Sequence, residues 1–565
     1  MSRVRSFWHW GYEEKFPNDD ARAKLGKRLE RVFGKAPVAQ ASPDLEKIKI
    51  AEPRFTPPVE LRGIGTTDRR ERAVHTYGRG YTDLVRAFSG DFSTAPDWVF
   101  YPTTEDHIVA LYRFCEKESV ALVPYGGGTS VVGGVEHHAE GRFRGTACVD
   151  LSKMDKVLEI DTASRAARIQ AGATGPRIAE QLAPQGLTLR HYPQSYELST
   201  LGGWIATRAG GHYATLYTHI DDFVQALRVV TPAGVLETRR LPASGAGPSA
   251  ERLILGSEGT FGIVTEAWMR VQLRPRWRAS ASVRFDRFVD GVAAARSLSQ
   301  SGLFPSNCRL LDEREAMLHH VASDGKSILL LAFESADHPV EPWMERALSI
   351  ATDLGGNCEE EPKYSVDVVH SIAPRPSSLP PSAPSVPPPS IEIEAGGHDA
   401  IDASSWKSAF YDAPYFQSAL VSLGVVCDTF ETACTWEKFP ELHAKVVAAV
   451  EGAMKEACGG GIVTCRFTHV YPDGPAPYYT FIAPGRDPAR DGALIEQWTK
   501  IKSAASETIL ANGGTITHHH AVGRAHRQWW TKERPQLFED ALSAAKDKLD
   551  PRGIMNPGCL LPRKD

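Results

Sequence analysis

Three consecutive glycines, Gly126, Gly127 and Gly128, follow an apolar run at residues 121–123 and lead into Thr129 and Ser130, within PYGGGTSVVGG at residues 124–134. Without a Cβ at three positions in a row, neither a strand nor a helix is favoured there. The backbone is free to turn its N–H groups, with the two hydroxyls, onto an anion. With Pro124 and Tyr125 leading in, the stretch reads as a pyrophosphate cradle. It contains no G-x-x-x-x-G-K-[ST] lysine, and no G-x-G-x-x-G opening a helix with an acid about twenty residues on. The cradle is therefore of neither the P-loop nor the Rossmann kind. Taken alone, the glycines also suit a plain flexible turn.

Two further loops of small and hydroxyl residues follow in order. QSYELSTLGGWIATRAGG, residues 194–211, offers Gln194, Ser195, Ser199, Thr200, Thr207, Arg208, Ala209 and Gly210. LGSEGTFGIVTEA, residues 255–267, offers Ser257, Glu258, Gly259, Thr260, Gly262, Ile263 and Val264. Short hydroxyl side chains beside glycines suit a ribityl chain, phosphates and ring edges. Three such loops in series point to one nucleotide cradle rather than three unrelated turns. Between them the pattern alternates strand and helix. Thr103 or Thr104 can cap a helix whose Ile108, Leu111, Tyr112 and Cys115 share a face. Apolar runs at 147–151 and 166–171 read as strands, and Pro176 is expected at the first position of another helix.

Upstream, residues 1–93 are polar and weakly periodic, with a helix expected at 21–33, and read as an N-terminal wrap. The expected division continues with a nucleotide-binding domain at 94–275, an α+β cap at 276–508 and a C-terminal segment at 509–565 returning to the site. Within the cap, eight prolines between Pro374 and Pro389 forbid regular structure, so a disordered insertion is expected over about 365–403. A chain of 565 residues has room for roughly two to four domains. Lys plus Arg number 64 against 69 Asp plus Glu, a net charge of −5, which argues against a nucleic-acid partner. The first twenty residues lack the apolar core of a signal peptide, and no run of about eighteen apolar residues occurs. Nine cysteines, odd in number and never spaced C-x-x-C, suit reduced thiols in a cytoplasmic setting.

The order GGGTS, then P-Q-S…S-T-x-G-G-W, then G-S-E-G-T-x-G-x-x-T-E, closing with DPRGIMNPG at 550–558, resembles the FAD-binding fold of the vanillyl-alcohol-oxidase (PCMH) type. FETACTW at 430–436 and ILANGGTITHHHAVG at 509–523 narrow the resemblance to the alkylglycerone-phosphate synthases, also called alkyl-dihydroxyacetonephosphate synthases. It implies a two-subdomain FAD-binding fold with an α+β substrate cap, and FAD held noncovalently, since no histidine or cysteine is placed to bond the flavin. It further implies redox-neutral exchange of the acyl group of 1-acyl-glycerone 3-phosphate for a long-chain alcohol. A homodimer follows from the same resemblance, and peripheral membrane contact is left open. Animal members are peroxisomal, but the N-terminus lacks an R-L-x5-H-L signal and the C-terminus is not S-K-L, so a cytoplasmic address is expected. The family lacks the proline-rich stretch, leaving a lineage insertion and a gene-model artefact both open.

Read without the resemblance, the chemical residues have ordinary explanations. A tyrosine such as Tyr478 in a strand is usually core. His518, His519 and His520 form either a solvated tract or part of a site; at most two of three successive side chains face one point, and a metal would need ligands from elsewhere. Arg309 has apolar flanks, Cys308, Leu310 and Leu311, that argue against full solvation. The resemblance assigns Tyr478 as the catalytic acid or base, the three histidines as head-group and proton handlers, and Arg309 as active-site support, with no metal. Tyr471 and Tyr479 are structural by the same comparison. Gln417 stands where the family keeps an arginine thought to meet the phosphate, so either a neighbour such as Arg466 compensates or the head group carries less charge. The rival activity is FAD-dependent oxidation of D-2-hydroxy acids, whose enzymes carry H-x-G-D-G-N-x-H. His469 and Asp473-Gly474 echo its start, but Tyr478 stands roughly where the second histidine belongs. An inactive flavin-binding homologue is the remaining alternative.

Overall fold

The computed structural model describes residues 3–138, 141–319, 321, 324–367, 403–488, 490 and 492–562. The proline run expected to be disordered lies outside the described residues. The start of that range is ordered: Lys363–Val366 is an exposed edge strand paired with residues 277–280.

The nucleotide-loop half is built around two larger sheets, with the two-stranded pair Leu187–Thr188 and Gln272–Leu273 beside them. In the first, Trp98–Phe100 and Val120–Tyr125 lie parallel on either side of Gly145–Asp150, and the helix Glu105–Glu118 makes the crossover. Thr104 caps that helix by accepting from the His107 amide at 3.4 Å. Its buried residues are Ile108, Leu111, Tyr112 and Cys115, one stripe at i, i+3, i+4 and i+7. Ser119, in the left-handed region at φ 54°, ends it and turns the chain straight into the strand that delivers the glycines. The second sheet is a five-stranded antiparallel array with Ile263–Arg270 at its centre. The helix Gly175–Leu182 starts one residue earlier than expected, so Pro176 occupies its second position. That amide also lacks an intrahelical partner, so proline is tolerated equally.

The cap is a seven-stranded antiparallel sheet in the order Lys363–Val366, Trp277–Phe285, Ser327–Ser335, Asn307–Leu311, Ile462–Val470, Pro475–Pro484, Val425–Glu431. Phe430, Cys465, Tyr479 and Phe481 on one face pack with Val446, Met454, Ile501 and Ala505 of the helices Phe439–Cys458 and Ala493–Ala511. Side chains alternate along a strand, so Glu431, Arg466 and Tyr478 must leave by the other face. That face looks toward the nucleotide-loop half.

Candidate active site

Register places the cap residues in one row. Leu311 pairs with Arg466, Arg466 with Tyr478, and Tyr478 with Glu431, while Arg309 lies two residues from Leu311 on the same face. Between Phe467 and His469 the pairing slips by one residue, leaving Thr468 bulged. The bulge rotates His469, now opposite Ala476, onto the face that carries Arg466 and Tyr478.

The row is charged and buried. Arg466 forms an ion pair with Glu315, which is wholly buried, and its guanidinium carbon lies 4.0 Å from the centre of the Tyr478 ring. Arg309 is 1% exposed; burial, then the charge of Arg466, pulls it down to about 9, while Glu315 and Tyr478 oppose the shift. Two guanidiniums thus share the field of one carboxylate. Tyr478 donates to Thr429 Oγ1 at 2.9 Å. Burial raises its phenol above the usual range, and Arg466 offsets this only partly, so the ring is neutral near pH 7.

Glu431 organises the histidines. Its carboxylate accepts from the amides of His518, of His519 at 3.1 Å and of His520 at 2.9 Å, and from Thr517 Oγ1 at 2.6 Å. Burial pushes this acid up, but His519, His520 and His518 together with the Thr517 hydroxyl hold it well below the usual carboxylate range. Wrapped around that anion, the tract directs its rings apart. His519 stacks on Tyr478 at 5.9 Å between centroids and 16° between planes, and His520 meets the same ring edge-on at 5.5 Å. His518 turns to Tyr471, with Nε2 2.8 Å from the phenol oxygen. Burial lowers all three histidines. His469, His518 and His519 bring one nitrogen each within 4.8 Å. However, His469 is engaged at Gly211 O and Thr468 Oγ1, and His518 at Tyr471 and His519, so a metal would have to break those bonds to find lone pairs.

The three loops meet beside this row. A Cβ on Gly126 would lie 2.2 Å from Thr200 Oγ1, and one on Gly127 2.1 Å from the Leu198 carbonyl oxygen, so the first loop lies directly on the second. Gly259, at φ +71°, abuts Pro124, and Gly210 packs on the Cβ of His519. Glu258 accepts from the amides of Val522 at 3.0 Å and Gly523 at 2.8 Å. Asn556 donates to the carbonyls of Gly134 at 2.9 Å and Glu258 at 2.8 Å. Tyr125 is buried, with its hydroxyl donating to Val74 O, and Ile263 and Val264 begin the central strand of the five-stranded sheet. Arg208 pairs with Asp221 at 2.8 Å. Several hydroxyls expected to face a ligand have their hydrogens committed inside their own turns: Ser199 to Ser195 O, Thr207 to Gly203 O and Thr260 to Ser257 O. By contrast, none of the five successive amides of Gly126, Gly127, Gly128, Thr129 and Ser130 donates to a described residue. A strip of unspent N–H groups lined by glycines fits a dinucleotide pyrophosphate.

Gln417 lies outside the row, against Asp428. Its amide donates to Asp428 Oδ1 at 3.4 Å, and Asp428 also faces Trp498 and Lys502. Asp428 leaves its strand on the side opposite Thr429. Sequence reasoning missed Glu431, Thr429, Glu315, Lys502, Thr218 and His219. Glu431 does stand inside the FETACTW motif, but its role depends on strand register.

Residues 96–239 match the family described as FAD binding domain, and residues 274–361 and 394–560 match the C-terminal domain of FAD linked oxidases. The chain is 31% identical over 500 residues to an alkyldihydroxyacetonephosphate synthase of Dictyostelium discoideum, covering 88% of this chain and 78% of that one. It is 31% identical over 534 residues to the synthase of Trypanosoma brucei brucei, covering 90% and 82%. A solved alkyldihydroxyacetonephosphate synthase superposes with a TM-score of 0.76 over 98% of both chains at 24% identity. The cofactor is FAD, held noncovalently. With the three loops, the seven-stranded cap and the histidine tract converging on one site, the chain belongs to the alkyldihydroxyacetonephosphate synthase family of vanillyl-alcohol-oxidase-type flavoproteins.

Proposed function

We propose that this enzyme replaces the acyl group of a 1-acyl-glycerone 3-phosphate with a long-chain alcohol, giving the 1-alkyl product and a fatty acid. The observation that carries the reading is the stack of Arg466, Tyr478 and His519. It places a cation and an imidazole against one neutral phenol, beside a second buried guanidinium. Arg309 and Arg466, both buried in the row, offer guanidinium groups suited to the phosphate of the substrate.

Bound FAD supplies electron-sink chemistry that side chains lack. The residues handle protons and orientation. Tyr478, kept protonated, donates toward the departing carboxylate, and His519 takes the proton of the incoming alcohol. Thr429 holds the phenol's orientation, and Glu431 fixes the imidazoles. We extend the reading to a homodimer working in the cytoplasm and meeting acyl chains at a membrane surface, with residues 94–275 as cofactor domain and 276–508 as cap. No described helix is long and apolar enough to cross a membrane.

The test supplies the purified holoenzyme with acyl-glycerone phosphate and isotope-labelled hexadecanol. Labelled ether product with release of fatty acid is expected. Bleaching of the flavin with turnover by D-lactate or D-2-hydroxyglutarate under anaerobic conditions, without ether product, would replace this reading with hydroxy-acid oxidation. Neither response would leave a flavin-binding scaffold.

A further inference from the structure

A chain of hydrogen bonds runs from the histidine tract to the edge of the site, and its direction can be worked out from one end. His219 Nε2 lies 2.9 Å from the carbonyl oxygen of His518. A carbonyl only accepts, so Nε2 carries the hydrogen, and a neutral His219 presents a lone pair at Nδ1. Thr218 Oγ1 is 3.2 Å from that Nδ1 and must donate to it. Having given its hydrogen, the Thr218 oxygen accepts from the Tyr471 hydroxyl at 3.1 Å. The Tyr471 oxygen in turn accepts from His518 Nε2 at 2.8 Å, which leaves His518 Nδ1 bare. His519 Nδ1, 3.1 Å away, must then be the donor. The outcome is a specific tautomer for His519: hydrogen on Nδ1, lone pair on Nε2, which makes no hydrogen bond to a described residue.

We propose that Thr218, His219, Tyr471 and His518 form a proton relay that keeps His519 Nε2 available as a base and carries the proton it gathers out to His219. This rests on the reading of His519 as the group that deprotonates the alcohol. When Nε2 takes up a proton, the Nδ1 proton of His519 crosses to His518 Nδ1. The Nε2 proton of His518 moves to Tyr471, the Tyr471 proton to Thr218, and the Thr218 proton to His219 Nδ1. Every link reverses once. His519 ends neutral with its hydrogen on Nε2, His219 ends as the cation, and no other reactant is consumed. His219 is half-buried and follows the exposed Leu216 and Tyr217, so its proton passes to water. The rings of His518 and His469 lie 4.6 and 6.0 Å from its own, and His191 and His519 add to that field. Asp222, which accepts from the His219 amide at 3.4 Å, is the carboxylate of its own turn. The same network explains why Tyr471, structural by family comparison, has its hydroxyl inside the site.

The relay is tested by nitrogen NMR of the holoenzyme labelled with ¹⁵N-histidine, with signals assigned by His219→Asn and His519→Gln. At alkaline pH, His219 and His518 are expected as Nε2–H tautomers and His519 as Nδ1–H. On acidification, protonation of His219 and the switch of His519 to Nε2–H should occur together, and Tyr471→Phe should uncouple them. An Nε2–H His519 in the alkaline wild type, or one indifferent to the state of His219, overturns the proposal whether or not the protein makes ether lipid. In turnover, His219→Asn retains an acceptor for Thr218 in the place of Nδ1 but cannot hold the proton. A loss of about ten- to a hundredfold is expected. Imidazole in the buffer should restore that rate in proportion to its concentration, which a purely structural defect would not show.

Discussion

Replacing Glu431 with glutamine tests the carboxylate at the centre of the histidine tract. Four donors converge on it: the amides of His518, His519 and His520 and the hydroxyl of Thr517. Oε1 accepts from the amides of His519 and His520 and from the Thr517 hydroxyl, and Oε2 from the His518 amide, so a glutamine that keeps its oxygen in the Oε1 place turns its NH₂ toward the His518 amide, loses one hydrogen bond to a charged acceptor and leaves one buried N–H without a partner. That bond is worth about 1.5–3 kcal/mol, and the three that remain are weakened by the loss of charge. Part of this cost would be relieved by opening of the 517–520 loop. His519 would then leave the Tyr478 ring, so turnover should fall at least as far as in Tyr478→Phe, while Glu258 still holds Val522 and Gly523 and FAD stays bound. The pH dependence has a definite sign. Because the folded-state pKa of Glu431 is held well below its unfolded value, its contribution is fully present above the ordinary carboxylate value near about 4.3 and is lost as the pH falls from there through the folded-state value. Urea unfolding of the holoprotein, followed by flavin fluorescence at neutral pH and under acid conditions, measures both effects. The variant should be weaker at neutral pH and approach the wild type in acid. Equal stability and equal turnover at neutral pH would refute the role given to Glu431.

Tyr478→Phe, which loses only the hydroxyl donating to Thr429, should bind FAD normally and lose turnover by about a hundredfold or more; near-normal rates would exclude the phenol as proton donor. Gln417→Arg should place its guanidinium against Asp428 and change KM for acyl-glycerone phosphate by less than about threefold. A tenfold drop in KM would mean that Arg309 and Arg466 do not already hold the phosphate. Gly127→Ala would set a methyl 2.1 Å from the Leu198 carbonyl oxygen, so the purified variant should lack the flavin absorbance that acid precipitation releases from the wild type; full yellow colour in the variant would contradict the loop contact.

What could be read from the chain without coordinates followed local rules. The stripe Ile108, Leu111, Tyr112 and Cys115 declared its helix because one face repeats every turn, and the glycine loops declared themselves because few other tasks need three glycines together. The assignments at Tyr478, Arg309 and the histidines came through resemblance, and the structure sets the histidine loop against the cap row that carries the other two. His469 could not be placed this way. Strict alternation from Arg466 would send it to the helical side, and only the slip at Thr468 reverses it. Glu431 was equally opaque, since an acid in a strand reads as solvated until its cross-strand neighbour Tyr478 and the amides of a loop some ninety residues on are known. The hydroxyls of Ser199, Thr207 and Thr260 show the converse: composition announced donors, whereas local turns had already used them.

The meeting of Glu258 with Val522 and Gly523, and of Asn556 with Gly134, also sets a timetable. The glycine loop and its two companions are complete early in synthesis, but the segment that braces them emerges last. Until residues 518–556 arrive, the amides of the first loop face a half-walled groove, and the cap row lacks its imidazoles. Flavin capture should therefore come as a late event that closes folding, with long-range closure setting its pace.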